Sequence, residues 1–255
     1  MRILLTNDDG IFAPGLDILE SIAHEISDDV WIVAPASEQS GAGHSLSLSD
    51  PLRIRCVDEK RYAVTGTPTD SIVLALNHII KDKRPDLILS GVNRGANMAE
   101  DVTYSGTIAG AMEGTLAGIP SMALSQAIDP VTQKVDWGAS KRYGTQIVKQ
   151  LLELGWNSGT FINVNFPRYG ADKVKGVKIT EQGMRDISDL KIEERIDMRG
   201  NPYYWFGLGR DVEAPGLKTD LKVVRDGYIS ITPLHLNLTH YEMMPRLTEA
   251  MDGEF

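Results

Sequence analysis

The chain has 255 residues, of which 35 are acidic and 26 basic, for a net charge of −9. The acidic residues are spread along it without a clustered Lys/Arg face, which excludes a nucleic-acid duplex as the expected partner. A phosphorylated small molecule would need a metal ion and backbone N–H groups to hold it in place of a basic patch.

The length suits a single α/β domain over residues 1–255 with a sizeable core. One cysteine, Cys56, cannot form an internal disulfide and fits a reducing compartment; its expected role is that of a small apolar residue in a strand. The opening MRILLTNDD is too short in apolar residues for a secretory signal, and no run approaches the ~18 apolar residues of a membrane span. A soluble, cytoplasmic protein without a membrane partner is expected.

In chain order, Arg2–Thr6 reads as a buried strand. Pro14 opens a helix whose Leu16, Leu19, Ile22, Ala23 and Ile26 recur at helical spacing. Val30–Pro35 is the next strand, followed by the Gly/Ser-rich SEQSGAGHS. Arg53–Val57 and Arg61–Thr65 suit a small hairpin across DEK. Thr67-Pro68-Thr69-Asp70 has the composition of a helix start, and the helix runs on through IVLALNHII. Asp86–Ser90 is a strand with GVNRGAN as its loop, and Ser105–Leu116 is a helix rich in Gly and Ala. Ile119–Ser125 (strand), Trp137–Leu154 (helix) and Phe161–Val164 (strand) continue the alternation. Strands alternating with helices predict an α/β fold with a Rossmann-like core, its mainly parallel sheet covered on both faces.

From Gly183 to Asp226 the periodicity fails, and RGNPYYWFGLG brings aromatics where no core pattern exists. Such a stretch suits a subunit interface or a loop over a site. Tyr228–Pro233 resumes as a strand and Thr239–Met251 as a terminal helix.

The chemistry gathers where the loops leave the carboxyl ends of the strands. Asp8 and Asp9 follow the first strand, Ser37 or Ser40 the second, and Asn93 and Asn97 the third. Adjacent strand residues point to opposite faces, so the two aspartates converge only if the chain turns sharply, which Gly10 permits. Carboxylates with hydroxyl and amide oxygens suit Mg²⁺ or Mn²⁺ better than Zn²⁺. A zinc de-N-acetylase would need histidines close by, and only His44 is near. A haloacid-dehalogenase-like phosphatase would need Asp-x-Asp-x-Thr, a spacing that NDDGI lacks. YSGT opens the Ser105 helix with N–H groups and two hydroxyls at the positive end of its dipole, a phosphate cradle without arginine.

With Asp8-Asp9, the SGAG loop, GTPTD, SGVNRGAN, YSGT and TPLH in this order, the chain resembles the survival protein SurE family over nearly its whole length. The resemblance implies a metal-dependent 5′(3′)-nucleotidase with acid phosphatase and, in some members, exopolyphosphatase activity. It implies one divalent cation per subunit held by Asp8, Asp9, Ser40 and Asn93, selecting Ser40 over Ser37. Asp8 and Asp9 are then the expected catalytic pair, and Asn97, Ser105, Gly106 and Thr107 the phosphate-binding positions. Met98-Ala99-Glu100 and Gly43-His44 depart from the usual family pattern beside the site. The family also implies a protruding C-terminal β arm exchanged between subunits, giving 183–226 a role in a homodimer or homotetramer. His235 in TPLH is expected to be structural.

The expected activity is hydrolysis of nucleoside monophosphates, with short polyphosphate a further substrate. Direct attack by water is favoured over a phospho-enzyme, because no nucleophile–base pair stands out. The rival is a nucleotide- or metal-binding regulatory protein without turnover.

Overall fold

Strand β1 (Arg2–Thr6) is buried along its whole length, as RILLT requires, and lies at the centre of the sheet. The computed structural model describes residues 1–185, 191–207 and 218–253. Among them, one sheet runs in the order β3-β4-β2-β1-β5-β6-β7-β11-β8. Its strands are β2 (Asp29–Pro35), β3 (Ile54–Asp58), β4 (Arg61–Val64), β5 (Leu87–Arg94), β6 (Ser121–Gln126), β7 (Thr160–Phe166), β8 (Val177–Ile179) and β11 (Ile229–His235). The strands from β4 to β7 are parallel, while β3 and β11 pair antiparallel at either side.

The alternation within β1 builds a three-layer core. Ile3 and Leu5 pack with α1 (Pro14–His24) and α5 (Gly138–Leu154) on one face. Leu4 packs on the other with Ile72 of α2 (Pro68–Leu74), beside α4 (Gly106–Leu116), whose Ile108 and Ala111 meet Ala123 and Phe161. Burying one such side chain contributes about 1.5–3 kcal/mol, so the central strand is held by its hydrophobic payload.

The TPTD start forms a full capping box: Thr67 Oγ1 accepts from the Asp70 N–H, and Asp70 Oδ2 accepts from the Thr67 N–H. Beyond Leu74 the chain widens into a π-helical turn, Ala75–Ile79, where a continuous α-helix is expected. Strand β5 extends to Arg94, through GVNR, with a register shift against β6 between Ser90 and Asn93. Cys56 lies in a strand, β3, as expected, and its side chain is exposed.

Within the irregular stretch lie two strands. Among the described residues, strands β9 (Lys191–Ile196) and β10 (Pro202–Gly207) pair only with each other, leaving Tyr204, Trp205 and Phe206 exposed. Residues 186–190 and 208–217 of the expected 183–226 arm lie outside the described residues. A short α6 (Asp220–Arg225) and the terminal α7 (Met244–Met251) complete the chain, α7 starting later than Thr239 because Pro245 sits in its first turn.

Candidate active site

The order reversal at β1, with β2 on one side and β5 on the other, creates the switch point at which open α/β sheets bind ligands. Here the chain leaves β1 abruptly. The Asn7 side chain donates to the Gly10 carbonyl at 2.8 Å, Gly10 takes φ +104°, and the Ile11 N–H reaches the Pro35 carbonyl at 2.8 Å. That left-handed turn brings Asp8, only 4% exposed, and Asp9 to the carboxyl edge together.

Neighbouring loops are drawn onto this turn by backbone bonds. The Gln39 N–H donates to the Asp8 carbonyl at 2.7 Å, and the Gly43 N–H to the Tyr104 carbonyl at 3.0 Å. From the end of β5, the Arg94 N–H donates to Asp9 Oδ2 at 2.9 Å. A cleft of about 530 Å³ opens beside Asp9, lined by Ser37, Glu38, Ser40, Phe12, Arg94 and Trp137 among others.

The N-terminus of α4 closes the other side. Ser105 is its N-cap, with Oγ accepting from the Ile108 N–H at 3.1 Å, preceded by the short α3 (Asp101–Tyr104). Gly106 lies so close to Asp8 that a Cβ there would stand 2.7 Å from the Asp8 Cβ. Thr107 Oγ1 donates to Asp8 Oδ1 at 2.5 Å.

Burial and like charge both work against ionisation of this pair. Burial pushes the Asp8 carboxyl up to about 6; the Thr107 hydroxyl opposes that and the Asp9 charge adds to it. Asp9 is also pushed up by burial, against the Arg94 N–H and with Glu38 repelling it. Among the described residues neither aspartate forms an ion pair. Among them, too, no three His, Cys, Asp or Glu side chains come together as metal ligands, so further donors would be hydroxyl and amide oxygens. Two unpaired hard carboxylates beside such oxygens are a donor set that fits a divalent cation.

The expected residues are placed as follows. Ser40 shares the cleft with Asp9, but its hydroxyl donates to Glu38 Oε1 at 2.9 Å. Asn93 sends its amide N–H to the Gly95 carbonyl at 2.8 Å, leaving Oδ1 for another partner. Asn97 is buried at the foot of the loop, its side-chain amide donating to Ser125 Oγ at 2.9 Å. Ser105, Gly106 and Thr107 sit beside Asp8, with the Thr107 hydroxyl spent on that carboxylate, not turned outward. His44 pairs with Glu113 at 2.9 Å. His235 pairs in register with Thr160, at the opposite end of β7, about 20 Å of strand away from the carboxyl edge.

Sequence reasoning missed Phe12, exposed on the cleft wall, and the two buried asparagines Asn163 and Asn165 of β7. The second had a signal: FINVNF puts amides at alternate positions of an otherwise apolar central strand, where an unpartnered polar group is costly.

Fold and site together define a Rossmann-like α/β protein that gathers oxygen donors and a helix N-terminus at the switch point of its sheet. The chain belongs to the survival protein SurE family, whose model matches residues 3–189. It is 52% identical over 252 residues to the 5′-nucleotidase SurE of Parvibaculum lavamentivorans, covering 98% of this chain and 91% of that one. It is 51% identical over 255 residues to the 5′-nucleotidase SurE of Caulobacter vibrioides, covering 99% and 97%. A crystal structure of the SurE protein from Aquifex aeolicus superposes with a TM-score of 0.83 at 40% identity, covering 99% of this chain and all of that one.

Proposed function

We propose that the chain is a divalent-metal-dependent 5′-nucleotidase that hydrolyses nucleoside 5′- and 3′-monophosphates to nucleoside and phosphate. The observation that carries this reading is the Asp8–Asp9 couple, without an ion pair among the described residues, whose buried Asp8 lies against the N-terminus of α4. Family membership and relatives named 5′-nucleotidase support it.

In this reading Asp8, Asp9, Ser40 and Asn93 hold one Mg²⁺ or Mn²⁺ per subunit. When bound, the cation supplies charge to polarise a phosphoryl oxygen and to orient the attacking water. The chain's own groups do the rest. Asn97 and the first turn of α4, from Ser105 to Thr107, receive the phosphate through N–H and O–H donors and the helix dipole. Thr107 keeps Asp8 ionised by donating to it. Phe12 and Trp137 line the cleft beside Asp9 and offer apolar walls for a nucleobase. That aromatic lining favours nucleotides as substrates, with short polyphosphate the second class to assay.

The exposed aromatic surface of the β9–β10 hairpin supports a homodimer or homotetramer built through that arm. No helix among the described residues is long and apolar enough to cross a membrane. The single exposed Cys56 suits a reducing, cytoplasmic setting.

Phosphate release from AMP tests the reading. The enzyme stripped with EDTA should be silent and should regain turnover on adding Mn²⁺. Nucleotide binding without any phosphate release at saturating Mn²⁺ would select the regulatory rival.

A further inference from the structure

Asn97 is gripped more tightly than any other residue of its loop. Its N–H donates to Asn165 Oδ1 at 2.8 Å, and its carbonyl accepts from Asn163 Nδ2 at 2.8 Å and Asn165 Nδ2 at 3.1 Å. Its own amide donates to Ser125 Oγ at 2.9 Å. Ser125 and Asn165 are register partners on β6 and β7, and all three gripping side chains are fully buried.

We infer that Ser125, Asn163 and Asn165 are positioning residues that set the affinity for the transferred phosphoryl group by locking Asn97. This rests on the phosphate-binding role of Asn97 proposed above. With the main chain held at both polar atoms, the amide is the only part of Asn97 that can turn. Ser125 accepts one of the two Nδ2 hydrogens and so aims the other, fixed in the amide plane, at a bound phosphate oxygen. Buried amides and hydroxyls of this kind act through geometry, since a group already ordered loses no freedom on binding.

The cost of the device is visible. Asn163 Oδ1 is buried and finds no hydrogen-bond partner among the described residues, although its Nδ2 is used. A leucine, which has the same branched outline, would remove that orphaned acceptor, so stability alone gives no reason for an amide at this position. Its use is the second donor to the Asn97 carbonyl. Sequence position agrees, because Phe161, on the same face of β7 one alternation earlier, is an ordinary core residue under α4.

The test is a mutant cycle on the Mn²⁺-loaded enzyme, read by AMP kinetics, competitive inhibition by inorganic phosphate and calorimetric Mn²⁺ titration. Ser125→Ala should raise both the AMP KM and the phosphate inhibition constant about tenfold, the effect of one lost hydrogen bond. It should change kcat much less and leave Mn²⁺ affinity unchanged. Ser125→Thr, which keeps the hydroxyl, should restore wild-type KM. The Asn97→Ala/Ser125→Ala double variant should be no worse than Asn97→Ala, because both act through one contact. Asn163→Leu should raise KM while holding or raising the melting temperature, a combination that a purely structural role does not produce.

Ser125→Ala with wild-type KM beside an impaired Asn97→Ala overturns the inference, as do additive losses in the double variant. An Asn97→Ala enzyme with unchanged KM and phosphate inhibition overturns both the phosphate role of Asn97 and this inference. Metal-dependent AMP hydrolysis would still stand in that case, so the two failures are told apart.

Discussion

Thr107 Oγ1 donates to Asp8 Oδ1 at 2.5 Å, joining the first turn of α4 to the first carboxylate of the candidate cation site. The contact separates two residues that YSGT presents as equivalent. Thr107→Val should weaken Mn²⁺ binding about tenfold or more, because a hydrogen bond to a charged group is worth about 1.5–3 kcal/mol. It should also push the Asp8 carboxyl further up, moving the acid limb of the pH–rate profile to higher pH. Thr107→Ser should restore both, and calorimetry with pH-dependent AMP kinetics checks this. Mn²⁺ affinity unchanged in Thr107→Val would contradict it.

Ser105→Ala should behave differently. Ser105 caps α4 and touches neither aspartate in the structure, so Mn²⁺ affinity should hold. Loss of the cap should cost about 1 kcal/mol of stability. The loss of a phosphate donor should lower kcat/KM roughly tenfold to a hundredfold, about 1.4–2.8 kcal/mol. Thermal melts and kinetics on the same preparation give both numbers.

The burial of Asp8 has a pH signature in the metal-free protein. Its carboxyl is raised from 3.8 to about 6, so the folded state holds the proton more tightly than the unfolded one. The stability this brings is present below the unfolded value and is lost as pH rises through about 6, by about 3 kcal/mol. Asp8→Asn should therefore melt higher than wild type in EDTA at about pH 8 and show a flatter profile between about pH 4 and 7. Equal melting temperatures across that range would contradict the burial argument.

Asp220 links the base of the arm to the loop below α3. Its carboxylate accepts from the N–H groups of Ala99 at 2.9 Å, Gly183 at 2.9 Å and Leu221 at 2.7 Å, and Ala99 is held at φ +52°. Asp220→Ala strands the buried Ala99 N–H and two half-buried donors and should destabilise the protein by about 2 kcal/mol or more. A urea midpoint within error of wild type would show that the latch is not structural.

The hairpin surface makes a prediction about assembly. Trp205 is 59% and Phe206 72% exposed on a ribbon that pairs with nothing else among the described residues. Replacing both by Ser should give a folded protein of smaller sedimentation coefficient. An unchanged coefficient would remove the hairpin from the interface.

Much of this architecture was legible in the chain. RILLT announced a buried central strand, TPTD a capped helix, and NDDG a sharp exit that Gly10 indeed makes. Each is a local signal, carried by residue types within one turn or strand. What failed was non-local. KIEERI and PYYWFG form a ribbon with no buried core beneath it among the described residues, so no alternation marks them. GVNR reads as a loop by composition, yet pairing with β6 draws it into β5. Asn163 and Asn165 look like strand residues of the wrong type until the loop bearing Asn97 is laid over them. The Thr107–Asp8 contact joins residues 99 positions apart and has no sequence signature at all.

The central claim is that Asp8 and Asp9 bind the cation on which hydrolysis depends. Mn²⁺ titration of Asp9→Asn by calorimetry, run beside AMP hydrolysis by the same preparation, tests it most directly. The expected result is a folded variant that has lost measurable Mn²⁺ binding and metal-dependent turnover together, and melts no lower than wild type in EDTA. A folded Asp9→Asn enzyme that binds Mn²⁺ and hydrolyses AMP at wild-type rate would contradict it.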